Sequence, residues 1–113
     1  MKKLAVFLVL LGLGALPALG ATATFNNVPV VDVRCSRKVA ANPDAHTRAC
    51  ALICENSGYG IFTKDKKFLT FDAAGNKEIV EELKASHEKN HLRVNVSGEV
   101  EGSTLKVSSV ELR

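Results

Sequence analysis

Between Ala45 and Gly58 the chain reads AHTRACALICENSG, which places His46, Cys50 and Cys54 four residues apart in succession. With Cys35 upstream, the pattern is Cys-x10-His-x3-Cys-x3-Cys, the four-ligand Cys3His composition of structural zinc sites. Thiolates also suit Cu(I), so zinc or copper is the cofactor the set implies. The spacing carries a geometric difficulty. On an unbroken helix His46 and Cys54 lie ~12 Å apart along the axis, too far to share one ion. Either the first turn is frayed, or one i, i+4 pair binds together with Cys35.

The same residues admit other chemistry. Residues four apart on a helix hold their Cβ atoms ~5–6 Å apart, whereas a disulfide needs ~3.5–4.5 Å. Cys50–Cys54 is therefore a poor bond, and the better pairings join Cys35 to Cys50 or Cys54 across 14 or 18 intervening residues. Closing such a loop stabilises by about 3 kcal/mol. With three cysteines one thiol is left over, which opens a thiol-redox reading with His46 as the activating neighbour. The plainest reading has no chemistry: cysteines pack as small apolar residues and His46 borders them.

The elements that must position these groups follow from periodicity and punctuation. NNVPVVDVRC alternates, which predicts a first strand with Val31, Val33 and Cys35 on the core face and Asp32 and Arg34 on the other. NPDAHTRACALICENSG predicts an inserted helix, with Asn42 as N-cap, Pro43 at its first position, Asp44 in its first turn and Gly58 past its end. Its stripe of His46, Cys50, Ile53, Cys54 and Ser57 spans ~100°. Strands follow at Gly60–Thr63 and Lys67–Asp72 around a polar turn. NKEIVEELKASHEKN then predicts a helix with Ile79, Val80, Leu83 and His87 on one side. Leu92, Val94 and Val96 open a closing hairpin that turns around Glu101-Gly102-Ser103. The phase slip across Ser108-Ser109 predicts a β-bulge there.

Removing the inserted helix leaves strand-strand-strand-helix-strand-strand, the element order of an OB-fold. The expected fold class is mainly β (α+β), a five-stranded OB-fold-like barrel with one helix inserted after strand 1 and another between strands 3 and 4. Cys35, the His46-x3-Cys50-x3-Cys54 segment, SGYGIFT, KFLTFD and LRVNVSGEVEGSTLKVSSVEL together resemble small exported bacterial OB-fold-like domains with a Cys/His-bearing segment after the first strand. The resemblance covers nearly all of the chain after its leader. It implies the fold and no particular activity, because this fold hosts unrelated functions.

The first residues, MKKLAVFLVLLGLGALPALGATA, read as a cleavable signal peptide: Lys2 and Lys3, an apolar run from Leu4 to Leu16, then small residues. The run is shorter than the ~20 residues of a spanning helix. Residues 1–23 are the expected signal peptide, cut near 20–23, and residues 24–113 form one domain, periplasmic or secreted, with no membrane span after cleavage. Without Lys2 and Lys3, 13 of the 15 basic residues face 12 acidic ones. Near neutrality and export together exclude nucleic acid as a partner.

The remaining candidates are weaker. His87 and His91 read as boundary and surface residues. Lys64, Lys66 and Lys67 read as a solvated turn, with an anionic glycan or lipid headgroup as the alternative. Tyr59, Phe62, Phe68 and Phe71 read mainly as core, with stacking as the alternative. NVS at Asn95 falls mid-strand and is discounted as a glycosylation acceptor. No acid/base pair, phosphate loop or nucleophile motif is present, so no catalytic residue is assigned and the expected function is non-enzymatic. It is a small exported binding module whose Cys35, His46, Cys50 and Cys54 hold a thiophilic metal. The alternatives are a disulfide-stapled module for a protein, peptide or glycan, and a thiol-redox protein.

Overall fold

The computed structural model describes residues 21–113; residues 1–20 of the expected signal segment 1–23 lie outside the described residues, and Ala21–Ala23 open the first strand. Strand β1 (Ala21–Asp32) pairs antiparallel along most of its length with β4 (Arg93–Glu101). Its last three residues also pair with β2 (Tyr59–Phe62), through Val30↔Ile61, Val31↔Gly60 and Asp32↔Tyr59. Beyond β2 come β3 (Phe68–Phe71), antiparallel to it, and β5 (Thr104–Leu112), parallel to β3 and antiparallel to β4. The order β1-β2-β3-β5-β4 closes a five-stranded barrel. That is the OB-fold-like architecture expected from the element order, and closure leaves few free strand edges.

Inward residues of every strand meet in one core. Val28, Val30, Ile61, Leu69, Phe71, Val94, Val96, Leu105 and Val110 fill it from the sheet, and Leu92 and Tyr59 close its end. The bulge expected in the last strand is present. Ser97 pairs with Ser109 and Gly98 with Val107, so Ser108 is the extra residue, and its hydroxyl donates to the Ser97 carbonyl at 3.1 Å. The slip restores Val110 to the core face. The hairpin turns at Gly102-Ser103, where Gly102 takes φ +63°.

Between β1 and β2 the chain makes a 3-10 turn at Val33–Cys35, helix α1 (Ser36–Val39), a 3-10 turn at Pro43–Ala45, helix α2 (Arg48–Ile53) and a 3-10 turn at Glu55–Ser57. Helix α3 (Ala73–Ala85) bridges β3 and β4 and buries Ile79 and Leu83 against the barrel. Asp72 caps it, accepting from the Gly75 and Val107 amides at 3.1 and 3.2 Å. A Cβ on Gly75 would stand 2.5 Å from the Val107 side chain, so this contact between helix and sheet needs glycine.

Three expectations are corrected. The first strand ends at Asp32, so Cys35 leaves the sheet instead of sharing a face with Val31. The inserted helix is broken in two at His46 and Thr47; its α-helical part is capped by the Thr47 hydroxyl, while Asn42 makes no side-chain cap. The helix between strands 3 and 4 starts earlier and ends at Ala85, leaving His87 outside it and exposed. Its start is set by Asp72, whose side chain caps it by accepting the Gly75 amide.

The inserted segment is tied down by polar bonds. Arg93, on β4, grips Asp44 with two parallel hydrogen bonds of 2.9 and 2.8 Å. The His91 amide donates to the Asp44 carbonyl, the Arg48 amide to the Lys89 carbonyl, and the Tyr59 hydroxyl to Ala51 at 2.6 Å. The bonds from Arg93 hold the Asp44 carboxyl below its ordinary range. A carboxyl with a depressed folded pKa stabilises above its unfolded pKa of ~3.9, and the contribution is lost as pH falls through the folded value. Asp44→Asn should therefore flatten the stability–pH curve below pH ~4 and lower stability at neutral pH. Urea midpoints measured from acid to neutral pH check this, and an unchanged acid limb would contradict it.

Candidate metal centre

Asp32 is the last residue of β1, held by its pairing with Tyr59, and the next amide, from Val33, donates to the Gly58 carbonyl at 2.8 Å. There the ladder ends and the chain turns. The Asp32 carboxylate drives the turn: Oδ2 accepts the Cys35 amide at 3.0 Å, capping the 3-10 turn that carries the cysteine. Oδ1 meets His46 Nε2 at 2.7 Å. A carboxylate only accepts, so His46 donates there. Asp32 has no exposed surface and His46 is 7% exposed. Among the described residues no buried side-chain nitrogen or oxygen lacks a partner.

His46 reaches Asp32 because the inserted helix is broken. The residue is extended, with φ −68° and ψ 138°, between the Pro43–Ala45 turn and α2. This break corresponds to the frayed first turn, one of the two arrangements that the Cys/His spacing left open. One ligand atom each from Asp32, Cys35 and His46 lie within 4.8 Å of one another, a group that could hold a metal ion. Cys54 follows α2 as its C-cap, close enough for its thiol to act electrostatically on that of Cys35.

The Cys35 thiol is pushed up, first by burial, then by the nearby Asp32 charge and by Cys54. Such a thiol stays protonated at neutral pH, whereas reactive cysteines sit among groups that stabilise the thiolate. The surroundings instead collect a carboxylate and sulfur around a histidine, where a cation would reverse the effect and draw the proton off.

Two expectations fail here. Cys50 is exposed, on the outer side of α2, where Ile53 is 81% exposed and Ala51 is the buried residue. The stripe of His46, Cys50, Ile53, Cys54 and Ser57 therefore does not form one inward face, because it presumed a continuous helix. Nor is a disulfide formed among Cys35, Cys50 and Cys54; a cysteine pair stands 4.4 Å apart, beyond a sulfur–sulfur bond of ~2.05 Å. Asp32 was assigned to a polar strand face and missed as a site residue. The signal was its place three residues before Cys35, the offset of a capping side chain.

No family model, curated protein or solved structure matches this chain. The site is therefore read from its own geometry.

Asp32 and His46 satisfy one another in a buried setting, and removing one partner of such a pair typically costs ~3–5 kcal/mol. Stability for a chain of this size is of the order of 5–14 kcal/mol. Asp32→Ala, which strands both His46 and the Cys35 amide, should lower the unfolding free energy by about 3 kcal/mol in urea titrations. A loss below ~0.5 kcal/mol would show that the pair does not hold the inserted segment.

Proposed function

We propose that the protein is an exported, non-enzymatic metal-binding module, and that its Asp32–Cys35–His46 group, completed by Cys54, takes a zinc ion. The observation that carries this reading is the convergence of a carboxylate, an imidazole and a thiol within 4.8 Å; Cys54, outside that group, is near enough to act on the Cys35 thiol. Oxygen, nitrogen and sulfur together suit the borderline-soft Zn²⁺; an all-sulfur set would suit Cu(I) better. Four side chains match tetrahedral coordination. Export is supported by the sequence of residues 1–23 and by the near-neutral remainder, and no described helix is long and apolar enough to cross a membrane.

Binding asks a small movement of the site. An ion between His46 Nε2 and Asp32 Oδ1 takes the place of the proton they share. Tetrahedral zinc with bonds of ~2.0–2.1 Å holds neighbouring ligand atoms ~3.3 Å apart, so the 2.7 Å contact opens by about 0.6 Å. Cys35 and Cys54 lose their protons, which makes uptake weaken as pH falls.

One observation favours a second reading. The Cys35 thiol feels the Cys54 thiol electrostatically, so in an oxidising compartment they are the pair that would form a disulfide and staple the module. Both readings use the same two sulfurs and leave Cys50 free.

Thiol alkylation mapped by mass spectrometry, on reduced protein with and without zinc, separates them. Zinc should slow alkylation of Cys35 and Cys54 at least 10-fold and leave Cys50 unchanged, and Cys35→Ser should abolish the protection of Cys54. Equal labelling of Cys35 with and without zinc would overturn the metal reading. Protein purified without reductant that carries a Cys35–Cys54 bond and takes up no metal after reduction would establish the staple instead.

A further inference from the structure

At the other end of β1 the barrel has an open mouth. β2 pairs with β1 only at Val30–Asp32, so the first nine residues of β1 have β4 as their single ladder partner among the described residues. A bulge against β4 lies in this stretch. The register shifts between Phe25 and Val28, Asn27 takes φ +56°, and its amide is held by the Asn95 side chain at 2.9 Å. The β2–β3 turn stands across from this stretch, stiffened by the Thr63 hydroxyl accepting the Lys67 amide and by backbone bonds between Thr63 and both Lys66 and Lys67. Between them lies a cavity of about 540 Å³. That falls within the ~300–1,000 Å³ of small-molecule sites, which occur in the mouths of β-barrels.

The lining is divided by chemistry. Phe25, Val28, Leu69 and Val100 supply apolar floor and wall. Lys64 and Lys67 stand on the turn at the rim, and neither has a carboxylate within 4 Å among the described residues. Asp65, between them, offsets one of the two charges. Arg93, which lines the adjoining cavity, is occupied by Asp44 and adds no free cation. A wet cation rim over a buried apolar floor matches a molecule that is charged at one end and apolar along its body.

We infer that this mouth binds a small amphiphilic monoanion, a carboxylate with an apolar body. The body lies on Val28 and Leu69 and the anionic end meets Lys64 and Lys67. The site is independent of the metal centre, since it shares no residue with it.

The test is an amide-shift titration of the isotope-labelled protein with octanoate at low salt, with octanol as the neutral comparison. Octanoate should give saturable shifts confined to the Thr24–Val28, Thr63–Leu69 and Val100–Gly102 stretches, and octanol should bind at least several-fold more weakly. Lys64→Gln with Lys67→Gln, on an exposed turn, should weaken octanoate ~10-fold, an effect that shrinks as salt is raised. Lys84→Gln on α3 should leave it unchanged. Equal affinity for octanol, no loss in the double variant, or shifts scattered away from the mouth would each overturn the inference. Shifts seen only with anionic phospholipid vesicles would also overturn it, assigning the turn to a membrane surface.

Discussion

One buried contact sets the shape of the end of the barrel where the inserted segment docks. Asp32 is drawn fully out of water at the last rung of the β1–β2 ladder, and an isolated carboxylate there would be strongly disfavoured. It is tolerated because His46 and the Cys35 amide each give it a hydrogen bond. Both donors come from the inserted segment, so satisfying the carboxylate also folds that segment back onto the barrel. The Arg93–Asp44 pair and the Tyr59 hydroxyl reinforce the same docking from the barrel side. The assembly of sulfur, imidazole and carboxylate is thus a consequence of how a buried charge is satisfied.

The barrel was legible in the sequence because its signals are local. Alternation in β4 and β5, the phase slip at Ser108 and the order of elements each follow from period-2 patterning, and closure adds no residue that breaks it. The inserted segment was less legible. Its Pro43 and Gly58 are true punctuation marks, and Gly58 does take a left-handed φ of +83°. Yet Thr47, whose hydroxyl accepts the Cys50 amide, starts a second, shorter helix inside the one expected. Helical periodicity carried across that break put Cys50 with His46, and the break itself turned His46 inward and Cys50 outward.

Asp32 was hidden for a different reason. In a strand, an acidic residue between two valines reads as solvent-facing, and only the long-range partner His46, fourteen residues on, shows otherwise. Tertiary satisfaction of a buried polar group leaves no periodic trace. The same holds for the barrel mouth, which depends on how far β2 runs beside β1.

The division of β1 organises the molecule. Its C-terminal rungs carry the Asp32 centre, and its N-terminal part, beyond the short β2, frames the mouth. The central claim is that the first of these ends is a coordination site. X-ray absorption at the zinc edge, on zinc-loaded protein, tests it most directly. The account predicts two sulfur scatterers at ~2.3 Å and two nitrogen or oxygen scatterers at ~2.0–2.1 Å. A first shell of oxygen and nitrogen alone, or protein that retains no zinc, would contradict it.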